Sequence, residues 1–347
     1  MTVPAESVSR HVLRPEMDVC WQFDYALDQQ QLEALYAKSK RMQWDAAVDI
    51  DWERAIDPSR PLVDESLFRF EALPSVQSAS RSQQERLRAE LACNHLSQFL
   101  HGEQGALMTA GALTHAVPDH QAKLYAATQT MDEARHVEVF TTYLNRLGRI
   151  YPMSVHLRRL IDATLTADHW VKTAIGMNMV VEGLALGTFH NMARATTCEV
   201  LRDVLTYVIR DEARHVAFGN VYVTEAIAAM HEDERESVAD FAFEAVCIMR
   251  DSRARHSGFE PGFLAALESA GFDPQDLLKD IVALRATGQK VEVPKDQVHA
   301  FKDLMMPALV RVGAVTARTR EQYAKARIPV WENRAALEKI EAEGSFA

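Results

Sequence analysis

TMDEARHVEVF, from Thr130 to Phe140, contains five residues, Asp132 to His136, that recur in the same order as Asp211 to His215. A glutamate precedes each copy at the same distance. Glu103 stands 30 residues before Glu133, and Glu182 stands 30 residues before Glu212. The period of the whole unit is 79 residues, so a pair of segments has been duplicated together with four carboxylates and two imidazoles.

The apolar periodicity around these residues is helical. It predicts long helices over Arg81–Ala116, ended by Pro118, and over Asp119–Leu147, ended by Gly148. A short helix over Val155–Leu165 leads to a third long helix, Ala167–Ala195, and a fourth, Cys198–His231, with Thr196 or Thr197 as its N-cap. Each helix pair reads as an antiparallel hairpin. Residue 118 lies midway between Glu103 and Glu133, and residue 197 midway between Glu182 and Glu212. Every one of these glutamates is therefore about 15 residues, roughly 22 Å, from its hairpin tip. Two such hairpins packed about a local two-fold would bring all four carboxylates to one level. Within each motif the glutamate and histidine are spaced i, i+3 and share a helical face. Gly183 and Gly187, beside the third glutamate, allow close helix contact.

Four glutamates buried at one level would repel each other and would be forced to take up protons. Two divalent cations remove that conflict. Mixed carboxylate and imidazole donors suit iron or manganese, and one Glu from each of two helices with Glu-x-x-His from two others is a di-metal pattern. The expected ligands are Glu103, Glu133, His136, Glu182, Glu212 and His215. Asp132 and Asp211 are placed to accept the second ring N–H of a ligand histidine, and Arg135 and Arg214 to pair with those aspartates. Positions three, four or seven residues from a ligand face the same interior. They are Phe99, Ala106, Leu107, Gln129, Phe140, Met179, Leu186 and Val208, a mostly apolar set that points to an apolar organic substrate. His95, His101, His115, His120 and His190 fall off that line, as does Tyr207.

The remainder of the chain is consistent with a helical protein. Its 347 residues, 48% hydrophobic, suffice for a large core, and the formal charge of −11 argues against a nucleic-acid binder. Four cysteines without C-x-x-C spacing read as free thiols in a reducing cytoplasm. The apolar run Trp170 to Phe189 is interrupted by Lys172, Asn178 and Glu182, so it reads as a buried helix and not a membrane span. Residues 1 to 80 read as an N-terminal arm anchored by Trp44 and Trp52, residues 81 to 231 as the di-metal core, and residues 232 to 347 as accessory helices and tail. In that last part, helices are expected at Glu232–His256, Pro261–Ala270, Pro274–Ala286 and Phe301–Ala326. A linker is expected at Gly288–Lys295, and a polar tail from Pro329 that is frayed or covered by a partner.

The paired Glu…Asp-Glu-Ala-Arg-His signatures, Glu103 to His136 and Glu182 to His215, resemble the ferritin-like di-iron carboxylate proteins. That superfamily includes the bacterial multicomponent monooxygenases, the soluble acyl desaturases and the aminoarene N-oxygenases. The resemblance covers residues 82 to 231 and is complete at all six ligand positions. It implies an all-α, ferritin-like four-helix bundle core with additional helices. It also implies two iron ions or a manganese–iron pair, dioxygen, a small organic substrate, an electron donor such as a ferredoxin or reductase, and a homodimer. Hydroxylation or N-oxygenation is the expected reaction, with acyl desaturation, a ligand-binding or ribonucleotide-reductase-like oxidase, and iron storage as alternatives. Three positions depart from subfamily patterns. Leu186 replaces the threonine of methane- and toluene-type hydroxylases, Val208 the extra histidine of aminoarene oxygenases, and Phe140 the radical tyrosine of reductase small subunits.

Overall fold

The longest helix begins at a reciprocal cap. The Ser80 hydroxyl accepts from the Gln83 N–H while the Gln83 side chain accepts from the Ser80 N–H, which satisfies two otherwise orphaned donors. The computed structural model describes residues 10–57, 70, 72–253, 260–286 and 297–346. All regular elements among them are helical.

A helix α1 (Gln30–Arg41) and a single turn α2 (Pro74–Gln77) precede the core. The first hairpin is α3 (Arg81–Ala116) and α4 (His120–Leu147), bounded by Gly148 in the left-handed region at φ 77°. Its tip is tied down by the Tyr222 hydroxyl, which donates to Asp119 at 2.6 Å. After α5 (Val155–Leu165) comes the second hairpin. Its first arm is not the uniform α-helix expected. It runs through α6 (Trp170–Ala174), a π-helical stretch π1 (Ile175–Val181) and α7 (Glu182–Ala195). Its second arm is α8 (Glu199–Ala229), whose N-cap position is Cys198 rather than Thr196 or Thr197. The Thr196 hydroxyl accepts the Cys198 N–H instead, so it shapes the turn and does not cap the helix.

Outside the hairpins lie α9 (Glu232–Arg253), α10 (Pro261–Ser269) and α11 (Pro274–Ala286). The expected linker at 288–295 falls outside the described residues. The single helix expected over Phe301–Ala326 is broken into a π-stretch π2 (Ala300–Met305), α12 (Met306–Arg311) and α13 (Ala317–Lys325). The break has a local cause. Gly313 takes φ 83°, Ala314 N–H closes back on the Leu309 carbonyl, and Thr316 opens a new capped helix. The segment after Pro329 is also more ordered than expected. Trp331 sets its ring edge-on to Phe301, and α14 (Ala335–Phe346) packs on α8 with Leu337 buried.

The hairpins place the ligand level between two apolar cores. One comprises the distal part of α3, the start of α4, π1 and the distal part of α8. The other comprises the start of α3, the end of α4, the end of α7 and the start of α8. A charged layer divides the interior because the duplicated glutamates fall at equal depth in every arm. Close packing of π2 on the second hairpin depends on a missing side chain. A Cβ added at Gly187 would come within 2.6 Å of the Ala300 Cβ and 2.9 Å of its Cα. Gly187→Val is therefore expected to cost about 1–3 kcal/mol of stability, measured as a lower denaturant midpoint. An unchanged midpoint would mean that π2 does not press on α7 in solution.

Candidate metal centre

All six expected ligands converge between the two cores. Glu103, Glu133, His136 and Glu212 offer one donor atom each within 4.8 Å of one another, and Glu133, Glu182 and His215 form a second such group. Glu133 belongs to both, so the arrangement offers two candidate metal positions with a carboxylate in common. Every member is buried, with Glu133, His136 and His215 at 0% exposure.

The two-fold seen in the sequence is realised as a crossed network. His136 directs Nδ1 at the carboxylates, 3.2 Å from Glu103, 3.3 Å from Glu133 and 3.1 Å from Glu212. Its Nε2 meets Asp211 of the other motif at 3.3 Å. His215 mirrors this, with Nδ1 at 3.0 Å from Glu133 and Nε2 at 3.2 Å from Asp132. Each aspartate thus orients the histidine of the opposite hairpin, which leaves Nδ1 as the donor that faces the centre. The two arginines clamp the aspartates. Arg214 donates to Asp211 at 2.6 Å and Asp132 at 3.1 Å, and Arg135 donates to Asp132 and, at 3.3 Å, to Asp211. Two arginines against two aspartates neutralise this outer ring, so the four glutamates must find compensation elsewhere.

The segment after α1 completes the ring. Trp44 donates its indole N–H to Asp211 at 2.7 Å and stacks on Tyr207, and Gln43 bonds both Asp132 and Arg135. Trp44 was legible only as an anchor, because a partner 167 residues away leaves no local trace. Trp52 anchors differently, through its indole N–H to the Ala46 carbonyl.

Of the residues expected to line a pocket, seven surround the ligands as packing. Phe99, half-buried, sets its ring against Phe189 at 4.5 Å and Phe140 at 5.9 Å. Phe140, Met179, Leu186 and Val208 are fully buried, Ala106 nearly so, and Leu107 is half-buried. Gln129 has a different surrounding: it donates to Glu182 at 2.8 Å and to Glu133 at 3.4 Å. Asn178 was passed over in the sequence although it is a polar residue in an apolar run, four positions before Glu182. Its amide donates to Glu182 at 3.0 Å and to Gln129 at 3.3 Å. Of the histidines set aside, His95 and His101 meet the backbone carbonyls of Leu91 and Tyr151.

The donor atoms are unsatisfied in the way a metal centre requires. Glu133 Oε2, both Glu212 carboxylate oxygens and His215 Nδ1 are buried and, among the described residues, make no well-directed hydrogen bond, although they lie within ion-pair distance of one another or of His136. Orphaned acceptors of this kind are expensive in a dry core, and two divalent cations satisfy them. Without metal the centre is compensated by protons. Burial, then the nearby Glu212 carboxylate, pushes the Glu103 and Glu182 carboxyls well above their usual range. Burial disfavours charge on His136 and His215, but bonds to Asp211 and Glu103 for the first, and the Glu133 charge and the bond to Asp132 for the second, raise both rings well above the usual histidine range. Against burial, the same imidazoles hold Glu133 below the usual carboxylate range.

The fold and this cluster define a ferritin-like di-metal carboxylate protein, with a buried Glu and His set that fits a dinuclear iron site. The family model described as P-aminobenzoate N-oxygenase AurF matches residues 26–258, two thirds of the chain, and the chain belongs to that family. It is accordingly an O2-dependent di-iron oxidoreductase. Among solved structures, an R2-like ligand-binding oxidase point mutant with an aerobically reconstituted Mn/Fe cofactor is 16% identical. Its match covers 84% of this chain and 95% of that one with a TM-score of 0.50. Another R2-like ligand-binding oxidase structure, a long soak, is 17% identical over 89% of this chain and 96% of that one, with a TM-score of 0.44. Identity at this level speaks to the fold alone. No curated protein matches.

Protons held by Glu103, Glu182, His136 and His215 in the metal-free protein must leave when metal binds. Metal affinity should therefore rise with pH, and addition of Fe2+ or Co2+ to weakly buffered metal-free protein at neutral pH should acidify the solution. Affinity independent of pH would contradict this protonation pattern.

Proposed function

We propose that Glu103, Glu133, His136, Glu182, Glu212 and His215 hold two iron ions, or one iron and one manganese, and that the chain oxygenates a small, mostly apolar organic substrate. The observation that carries this reading is the set of buried carboxylate and imidazole donors gathered in two adjoining groups, with donor atoms of Glu133, Glu212 and His215 left without a hydrogen bond among the described residues. When bound, the metal pair supplies reductive activation of dioxygen. The protein's own residues orient the donors and keep water out. Asp132 and Asp211 fix the imidazole tautomers, Arg135 and Arg214 balance the aspartates, and the flanking apolar layers exclude bulk solvent.

N-oxygenation of an aromatic amine is the reaction favoured by family membership, with hydroxylation next. Val208 stands where aminoarene oxygenases carry a further histidine and contributes no donor, so this chain works with the six-residue set. The substrate would lie against the aromatic side of the centre, where Phe99, Phe140 and Val208 offer ring and alkyl surface. Ala106, Met179 and Leu186 belong to the other core, Gln129 bonds Glu182, and Leu107 stays a pocket candidate on its helical spacing alone. Electrons come from a separate donor protein, a ferredoxin or reductase, whose basic surface would suit the chain's formal charge of −11. A cytoplasmic homodimer is the working assembly. No helix among the described residues is long and apolar enough to cross a membrane.

Glu133→Ala and His215→Ala should each lower bound iron below two ions per chain and abolish oxygen uptake by the chemically reduced protein while far-UV circular dichroism stays that of the parent. Iron content equal to wild type in both variants would refute the ligand assignment. With the iron-loaded parent, reductant and a panel of aromatic amines, mass spectrometry under 18O2 should find the label in product.

A further inference from the structure

The two halves of the duplication are equivalent at the ligands and unequal around them. Moving 79 residues along the chain carries Glu103 onto Glu182 and His136 onto His215. The same shift carries Phe99 onto Asn178, Gln129 onto Val208 and Phe140 onto Gly219. One side of the ligand level is therefore built of Phe99, Phe140 and Val208, with Phe189 packed among the rings. The other side has two carboxamides and a glycine. These are not interchangeable surroundings for a carboxylate.

Glu182 is gripped at both oxygens. Oε1 accepts from Gln129 at 2.8 Å and Oε2 from Asn178 at 3.0 Å, and the two amides are joined to each other at 3.3 Å. Asn178 also reaches the His215 carbonyl at 3.5 Å, which links the amide pair to the histidine of the same metal position. The grip comes from the π-helical stretch Ile175–Val181, which lies immediately before Glu182 and has no counterpart in α3. Gly219 makes room for it, because a Cβ there would come within 2.9 Å of the Asn178 Cβ. Among the described residues Glu103 has no such support. Its hydrogen bond is to His136 Nδ1, an atom that belongs to the ligand set itself and would turn to the metal.

Resting on the di-metal reading above, we infer that Gln129 and Asn178 are positioning residues that preorganise Glu182 and make its metal position the tighter of the two. A carboxylate with one lone pair on each oxygen engaged by a fixed amide keeps the remaining lone pairs aimed at the metal. Glu103, held only through a fellow ligand and flanked by phenyl rings, keeps the freedom to shift. The first divalent ion enters at Glu182 and His215, and the second at Glu103 and His136.

The test is stepwise Co2+ titration of the metal-free full-length chain, followed by calorimetry and by the visible ligand-field bands. The parent should bind two ions with separated affinities. Gln129→Leu, which also removes the 3.4 Å bond to the shared Glu133, should weaken the tighter step by about 10- to 100-fold, the usual effect of removing a ligand's hydrogen-bond partner, and the weaker step by much less. Asn178→Ala, which removes atoms without adding any, reads the same step should Gln129→Leu fail to fold. His215→Ala should eliminate the step that these variants weaken, and His136→Ala the other one. Two intact steps that move together, or do not move, in folded amide variants would overturn the inference alone. A parent chain that binds no pair of ions would overturn the site reading and the inference with it.

Discussion

Four glutamate side chains lie at one depth between two apolar cores of a helical interior, and the rest of the structure answers to that placement. Taking even one unpaired carboxylate out of water costs several kcal/mol, so the layer is tolerable only with protons or metal ions between the acids. The outer aspartates and arginines do not provide that compensation. They balance one another, two against two, and thereby define the charge that the centre must accept.

Crossing of the network explains why the motif is duplicated as a block. Asp132 orients His215, and Asp211 orients His136, so neither hairpin makes a complete histidine environment by itself. Loss of one aspartate would disturb the metal position built on the other hairpin. The segment Gln43–Trp44 joins the same ring from outside the bundle, so the chain before the core contributes to the polar network that steadies the ligands. The duplicated pattern is therefore a structural unit of two halves, each of which supplies what the other lacks.

Symmetry ends one helical turn away from the metals. The aromatic side closes around Phe99, Phe140 and Phe189, while the amide side ties down a single carboxylate. An oxygenase has reason to differ at these two faces. A hydrophobic wall can accept an organic ring, and a braced ligand holds the centre in place while the other side accommodates change.

Most of the helix plan and the meeting of six candidate ligands could be read from residue spacing, since a helix converts intervals along the chain into position along an axis and around it. Arg81–Ala116, Val155–Leu165 and Pro274–Ala286 appear at the expected bounds, and the equal 30-residue intervals did bring the glutamates to one level. Regular spacing was also the source of the errors. It presumed a uniform α-helix through Ile175–Val181 and a single helix from Phe301, where a π-turn and Gly313 intervene. Sequence alone thus determined which groups repeat, at what height, and that their charges need metal. Only the tertiary structure decided that each aspartate serves the opposite histidine, that Trp44 enters the ring, and that Gln129 and Asn178 clasp Glu182. Apart from Asn178, which stands four positions before Glu182, those contacts join residues dozens to more than a hundred positions apart, and helical periodicity carries no information across such distances.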